Sequence, residues 1–97
     1  MRSLARSLVI HESIETTEAK AKELRTYVEK LVTRSRVDTV ANRRLVMSRV
    51  PDAAMVKKLF TAIGPRYKDR KGGYLRIVKK SLRGKSDGSK RAYIAFV

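Results

Sequence analysis

The stretch GPRYKDRKGGYLRI, residues Gly64 to Ile77, decides the fold because it joins a helix to a strand. A helical pattern ends at its first residues, and a strand pattern begins within its last residues. It holds five Lys or Arg side chains, three glycines and two tyrosines, and Asp69 is its only acid. Gly64-Pro65 predicts a helix end: a left-handed glycine, then a residue that cannot continue the hydrogen-bond ladder. Gly72-Gly73 predicts either a turn with positive φ or a close approach to a partner. So many cations in one segment indicate an anionic partner.

Four helices and a short strand are predicted before this stretch. Leu4 and Leu8 mark the inner side of a first helix, and residues 12–17 alternate as a β-branched strand. Thr17 caps a second helix that runs to about Arg34, with Ala21, Leu24, Val28, Leu31 and Val32 inward. Asp38 caps a third helix, with Val40, Ala41, Leu45 and either Val46 or Met47 inward, and Pro51 ends it. Asp52 caps a fourth helix, with Met55, Val56, Leu59, Phe60 and Ile63 inward.

Two strands are predicted after the glycine pair. They are YLRIVKKSL (74–82) and RAYIAFV (91–97), joined by the loop GKSDGSK (84–90), and Ala92, Ile94 and Phe96 share one face of the last strand. The predicted fold is therefore α+β, a two-layer α/β arrangement in the order helix, strand, three helices, two-stranded hairpin. We expect one domain that spans residues 1–97.

Charge is the main functional signal. The chain has 97 residues, and 24 Lys and Arg against nine Asp and Glu give a net charge of +15. Such a field favours nucleic acid as the partner, with an anionic membrane surface second. Cysteine is absent and His11 is the only histidine, and no phosphate-binding P-loop motif occurs. We therefore expect no enzyme activity, metal, cofactor or small-molecule substrate.

The candidate RNA contacts are basic or polar side chains outside the predicted core. They are Arg2, Arg6, Asn42, Arg43, Arg44, Arg66, Lys68, Arg70, Lys71, Arg76, Lys79 and Lys80, and Arg83, Lys85, Lys90 and Arg91 extend the positive surface. Arginine side chains bind phosphates through two parallel hydrogen bonds. Tyr67 and Tyr74 either stack on unpaired bases or support the loop from within. Gly72 is expected to form the turn, and Gly73 to lie against the RNA.

Several segments together resemble a known family. They are LARSLVIHESIETTEAKAKELR, VEKLV, VANRRLV, VKKLFTAIGPRYKDRKGGYLRI and AYIAFV. In order and spacing they are similar to bacterial-type large-ribosomal-subunit protein seventeen over essentially the whole chain. The most specific part is LFxxIGPRYxDRxGGYxRI.

The resemblance implies a non-catalytic structural constituent of the large ribosomal subunit. It implies binding to large-subunit rRNA and to neighbouring ribosomal proteins, the small zinc-ribbon protein thirty-two among them. The implied location is the cytoplasmic ribosome, with an organellar ribosome as the alternative. Family members usually begin with some twenty further residues, a basic arm, so we expect either that the arm is missing from this sequence or that this is a reduced member.

Two other functions are also compatible with the amino-acid sequence considered by itself. The third and fourth helices are compatible with a DNA-binding helix-turn-helix, although their join at Val50-Pro51-Asp52 is abrupt and the densest charge lies elsewhere. A cationic membrane-surface protein needs a helix with a long apolar face and a basic face opposite. The second helix fits this poorly because Glu23 and Glu29 lie among its cations.

Overall fold

Helices cover one face of a three-stranded antiparallel sheet in the computed structural model, which describes residues 1–80 and 90–97. The elements are α1 (Arg2–His11), β1 (Ser13–Thr17), α2 (Glu18–Ser35), α3 (Val40–Arg49), α4 (Ala53–Lys58), a π-helical turn (Leu59–Ile63), α5 (Gly64–Arg66), β2 (Leu75–Lys79) and β3 (Arg91–Phe96). The α+β class and the order of elements predicted from the sequence are confirmed.

The last strand, β3, lies in the centre of the sheet and pairs with both of the others. Ile94 is opposite Ile14 on one side and Ile77 on the other, so this row faces the helices. Ala92 and Ile94 are fully buried and Phe96 packs against the same core, as the alternation predicted. The short strand β1 is thereby joined to the end of the chain, a pairing that local patterns did not indicate.

Part of the predicted hairpin lies outside the described residues. These are the end of the strand predicted over 74–82, most of the loop GKSDGSK, and the cations Arg83 and Lys85. The described part of β2 starts at Leu75 and ends at Lys79.

Helix α2 is the centre of the helical layer. Its predicted stripe, from Ala21 to Val32, is buried. Thr17 caps it as predicted, because its hydroxyl accepts a hydrogen bond from the Lys20 amide at 3.3 Å. Asp52 caps α4 in the same way, with 3.1 Å to the Met55 amide. The apolar residues that follow Asp52, from Met55 to Ile63, are also buried as expected.

The prediction for α3 was wrong in its cap and in most of its apolar face. Thr39, not Asp38, caps the helix, at 3.1 Å from the Asn42 amide. The Asp38 carboxylate instead accepts hydrogen bonds from Nε and Nη2 of Arg43. Val46 is the one buried residue of α3. The other residues predicted to face inward are exposed or half-buried: Val40, Ala41, Leu45 and Met47.

The role predicted for Gly64 was also wrong. Its φ is −55°, so the chain continues helically through α5 instead of stopping in a left-handed turn. A Cβ on Gly64 would lie 2.1 Å from the Ser35 carbonyl oxygen. Glycine is therefore required because this turn packs directly on the backbone at the end of α2.

Candidate nucleic-acid interface

The basic loop, defined as residues 66–73, is held from beneath by two tyrosines. Tyr67 is 5% exposed and Tyr74 is fully buried, and their ring centroids are 5.2 Å apart. The Tyr67 hydroxyl donates to the Val97 carbonyl at 2.6 Å, and the Tyr74 hydroxyl shares a hydrogen bond with Thr33 at 3.2 Å. Neither ring offers a free face to a base. Both rings therefore lie where they support the loop from within, which is the second of the two predicted roles.

Arg36, which the sequence did not single out, ties this loop to the end of α2. One end of its guanidinium donates to the Tyr74 hydroxyl at 3.3 Å, and the other to the Lys68 carbonyl at 3.0 Å. Its partners are 32 and 38 residues away in the chain, so no local pattern identifies this contact. The loop backbone is fixed on the protein side by this arginine.

Gly72 and Gly73 both have positive φ, at +106° and +64°. The turn predicted at Gly72 is confirmed. The backbone of Gly73 is left-handed as well, and its expected contact with RNA stays a prediction. The two glycines together turn the chain from the loop into β2.

Four cations on or beside the basic loop are exposed: Lys68, Arg70, Lys71 and Arg76. None of them has an ion-pair partner in the part of the chain that the structure describes, and the same holds for Arg2 and Arg44. Their side chains are therefore available to an anionic partner.

Arg66 forms an ion pair within the protein. Its guanidinium binds both oxygens of Glu12, and Lys58 lies 3.3 Å from the same carboxylate. The hydrogen bonds from Arg66, with a smaller contribution from Lys58, lower the pKa of Glu12 to about 2, although burial acts in the opposite direction. Arg66 therefore joins α5 to the end of α1 before it contacts any ligand.

Other candidates also have intramolecular partners. The pairs are Arg6 with Asp52, Arg43 with Asp38, Lys79 with Glu18, and Lys80 with Glu15. Asn42 donates its side-chain amide to the Val37 carbonyl at 2.8 Å. Such surface pairs contribute little stability each. They do orient the cations and reduce the charge those cations present.

The candidate residues form separate groups. The basic loop and Arg76 lie at the end of the sheet where β2 begins, and Lys79 and Lys80 at the end where it finishes. Arg2 and Arg6 line a small hollow with Asp52 at the start of α4. Asn42, Arg43 and Arg44 lie on α3. The basic loop with Arg76 is the densest of these groups.

In the described residues, none of the helices has the length and apolar composition needed to cross a membrane. Residues 1–80 and 90–97 also contain no group of three or more His, Cys, Asp or Glu side chains arranged to hold a metal ion.

The fold and the site define a class of small, strongly basic α+β proteins with a rigidly supported cationic loop. The sequence model of the family "Ribosomal protein L17" matches residues 1–97. The chain is 55% identical over 96 residues to the large ribosomal subunit protein bL17 of Sphingopyxis alaskensis, which covers 99% of this chain and 68% of that protein. The chain belongs to this family. It is a structural constituent of the large ribosomal subunit in the cytoplasm, and this membership favours a ribosomal role over the DNA-binding alternative.

Proposed function

We propose that this protein binds large-subunit rRNA through its basic loop and holds neighbouring RNA segments in place. The observation that carries the proposal is the set of exposed, unpaired cations on a loop whose backbone is fixed from within. Lys68, Arg70 and Lys71 project from a segment anchored by Tyr67 and Tyr74. A loop whose backbone is already held in place loses less conformational freedom when it meets phosphates.

The chemistry of the loop favours phosphate contacts. Arginine binds phosphate through two parallel hydrogen bonds, and lysine acts as a point charge. With both tyrosine rings buried, the loop has no stacking group, so its contacts are with the RNA backbone. Contacts of this kind set position and carry no sequence information by themselves. The loop therefore acts as a clamp on folded rRNA.

Reversing two loop charges tests this role. Arg70→Glu with Lys71→Glu should weaken binding to purified large-subunit rRNA by tenfold or more, because two phosphate contacts become repulsions. Lys20→Glu with Lys30→Glu is the matched control: both side chains are exposed on α2 and lack ion-pair partners in the described ranges, and the change in net charge is equal. Arg66 is left unchanged because Arg66→Glu would face Glu12.

The outcome is measured by filter binding, with thermal melts to show that both variants fold. Equal losses from the two pairs would mean that total charge matters and the loop does not.

A duplex DNA competitor of the same length tests specificity. If the duplex DNA displaces rRNA at equal concentration, the result favours the DNA-binding alternative and the proposal fails.

We further propose contacts with neighbouring ribosomal proteins, including the small zinc-ribbon protein thirty-two. An apolar groove of about 720 Å³ between α3 and α4 supports a protein contact. Its apolar lining residues are Met47, Ala53 and Val56, and Arg43, Arg44 and Lys57 are among the others. Met47→Asp should reduce cross-linking to protein thirty-two in assembled subunits while rRNA binding is kept. Unchanged cross-linking would remove this contact.

A further inference from the structure

The sheet has a second, uncovered face on the side opposite the helices. Because strand residues alternate, the outer face carries residues from all three strands. They are Ser13, Glu15 and Thr17 from β1, Arg91, Tyr93 and Ala95 from β3, Arg76 and Val78 from β2, and Lys80 directly after β2. The strand register sets Glu15, Tyr93 and Val78 side by side in its middle row. We call these nine residues the outer sheet face.

The outer sheet face is not simply a polar, solvated surface. An antiparallel sheet with one face in water usually alternates apolar residues inward with polar residues outward. Here the middle row places two large apolar side chains outward, with Tyr93 41% and Val78 50% exposed. No element among residues 1–80 and 90–97 packs over them. An exposed aromatic ring in the centre of a sheet is a flat surface on which an unpaired base can stack.

The charges around Tyr93 favour a polyanion. Arg76 lies toward one end of the face, and Lys80 and Arg91 lie at the other. Glu15 is the one acidic residue of the outer sheet face. Its carboxylate lies 3.3 Å from the Lys80 ammonium and 3.2 Å from the Arg91 guanidinium. The Lys80 ammonium is also 5.8 Å from the centroid of the Tyr93 ring. The face therefore combines three cations, one carboxylate and one exposed aromatic ring.

We propose that the outer sheet face binds an unpaired nucleotide of rRNA, with its base stacked on Tyr93 and the flanking phosphates near Arg76 and near Lys80 and Arg91. Arg76 is also adjacent to the basic loop through Tyr74 and Leu75. An RNA strand held by the loop can therefore continue along β2 to the outer sheet face. This inference rests on the proposed function, because its ligand is the same RNA.

RNA fits this face better than a protein partner does. The cores of protein–protein interfaces are depleted of charged residues and are largely apolar. On the outer sheet face, by contrast, one aromatic and one valine are flanked by cations at both ends. Stacking of bases on aromatic side chains flanked by cations is the usual mode for single-stranded nucleic acid.

Two substitutions of Tyr93 test the stacking. The probes are purified large-subunit rRNA and a single-stranded uridine oligonucleotide, with affinities measured by fluorescence anisotropy. Tyr93→Ala should weaken binding to both probes by about tenfold, the loss expected for one stacked base. Tyr93→Phe should bind nearly as well as the wild type, since the ring remains. Val40→Ala, an exposed apolar change on α3, is the matched control and should change neither affinity.

Glu15→Gln tests the electrostatic part. Removal of this carboxylate frees Lys80 and Arg91, so the variant should bind both probes several-fold more tightly and with a steeper dependence on salt. A residue that only supports the fold would not increase affinity. Unchanged or weaker binding by folded Glu15→Gln protein would overturn the assignment of these cations.

The outcomes separate this inference from the proposed function. If the wild type does not bind rRNA, the proposed function itself fails. If the wild type binds rRNA and Tyr93→Ala binds both probes equally well, only the outer sheet face is refuted. If Tyr93→Ala binds both RNAs normally but does not enter the large subunit, the face contacts a protein and the proposal is overturned.

Discussion

At the scale of single residues, Glu12 joins three parts of the molecule. Its amide ends α1 by a 2.7 Å hydrogen bond to the Leu8 carbonyl, and its own carbonyl accepts from the Phe96 amide at 3.1 Å. Its carboxylate binds Arg66 and Lys58. It does this at φ +66°, a left-handed conformation that costs a residue other than glycine about 1 kcal/mol. The contacts of both backbone and side chain offset that cost.

The ion pair of Glu12 predicts a dependence of stability on pH. Because the pKa is lowered from 4.5 to about 2 in the folded protein, the pair stabilises fully above pH 4.5, and its contribution is lost as pH falls toward 2. Glu12→Gln should therefore melt below the wild type near neutral pH, and the difference should shrink in that acidic range. Glu23→Gln, an exposed acid on α2, is the control. A difference that stays constant with pH would contradict the ion-pair account.

Gly64 gives a second prediction at this scale. Gly64→Ala should destabilise the protein by about 3 kcal/mol or prevent folding, because the added Cβ meets the Ser35 carbonyl and backbone leaves little room to move. Pro65→Ala, one residue later and exposed, should change stability far less. Chemical denaturation of both variants measures the difference. A Gly64→Ala protein as stable as the wild type would show that α2 and α5 do not pack this closely.

At the scale of elements, the basic loop is a rigid connection between a helix and a strand. Arg36, Tyr67 and Tyr74 fix its inner side, and Gly72 and Gly73 set its exit into β2. Stability and binding are therefore coupled in this segment. Changes to the glycines alter where the cations lie as well as how well the protein folds.

The two glycines should differ in what they tolerate. Gly72→Ala should cost more than 1 kcal/mol, because φ +106° lies outside the conformations open to alanine. Gly73→Ala should cost about 1 kcal/mol, and Gly73→Asn less, since asparagine tolerates the left-handed region at φ +64°. No atom within 4 Å obstructs a Cβ at Gly72, so the cost there comes from the backbone alone. Thermal melts of the three variants measure it, and equal melting temperatures would refute the turn.

At the scale of the whole molecule, acids and cations are unevenly arranged. Five of the nine acids form ion pairs in the described part of the chain: Glu12, Glu15, Glu18, Asp38 and Asp52. The acids thus neutralise cations near the junctions between elements. Exposed cations without an ion-pair partner in the described residues include Lys68, Arg70, Lys71, Arg76, Arg44 and Arg2, and also Lys20 and Lys30 on α2. Ion pairing therefore lowers the charge that some cations present, and among the unpaired cations the basic loop with Arg76 forms the densest group.

The unpaired cations of the basic loop predict the salt dependence of RNA binding. The logarithm of affinity should fall linearly with the logarithm of salt concentration, by about 0.7–0.9 per phosphate neutralised. Arg70→Glu with Lys71→Glu should lower the magnitude of the slope by about 1.5, and Lys20→Glu with Lys30→Glu should leave it nearly unchanged. Titrations at four or more salt concentrations measure the slopes. A wild-type affinity independent of salt would exclude the phosphate clamp.

The sequence alone determined the features that depend on neighbours along the chain. Thr17 and Asp52 cap their helices, the stripe from Ala21 to Val32 is buried, and the last strand alternates, because hydrogen-bond geometry and periodicity at short range are enough to specify each. Only the tertiary structure decided the contacts between distant residues. Gly64 serves close packing on α2, Arg36 secures a loop more than thirty residues away, and Arg66 binds Glu12. A pattern of residue types shows which side chains carry charge, but the choice between an internal partner and a free surface depends on which elements meet in space.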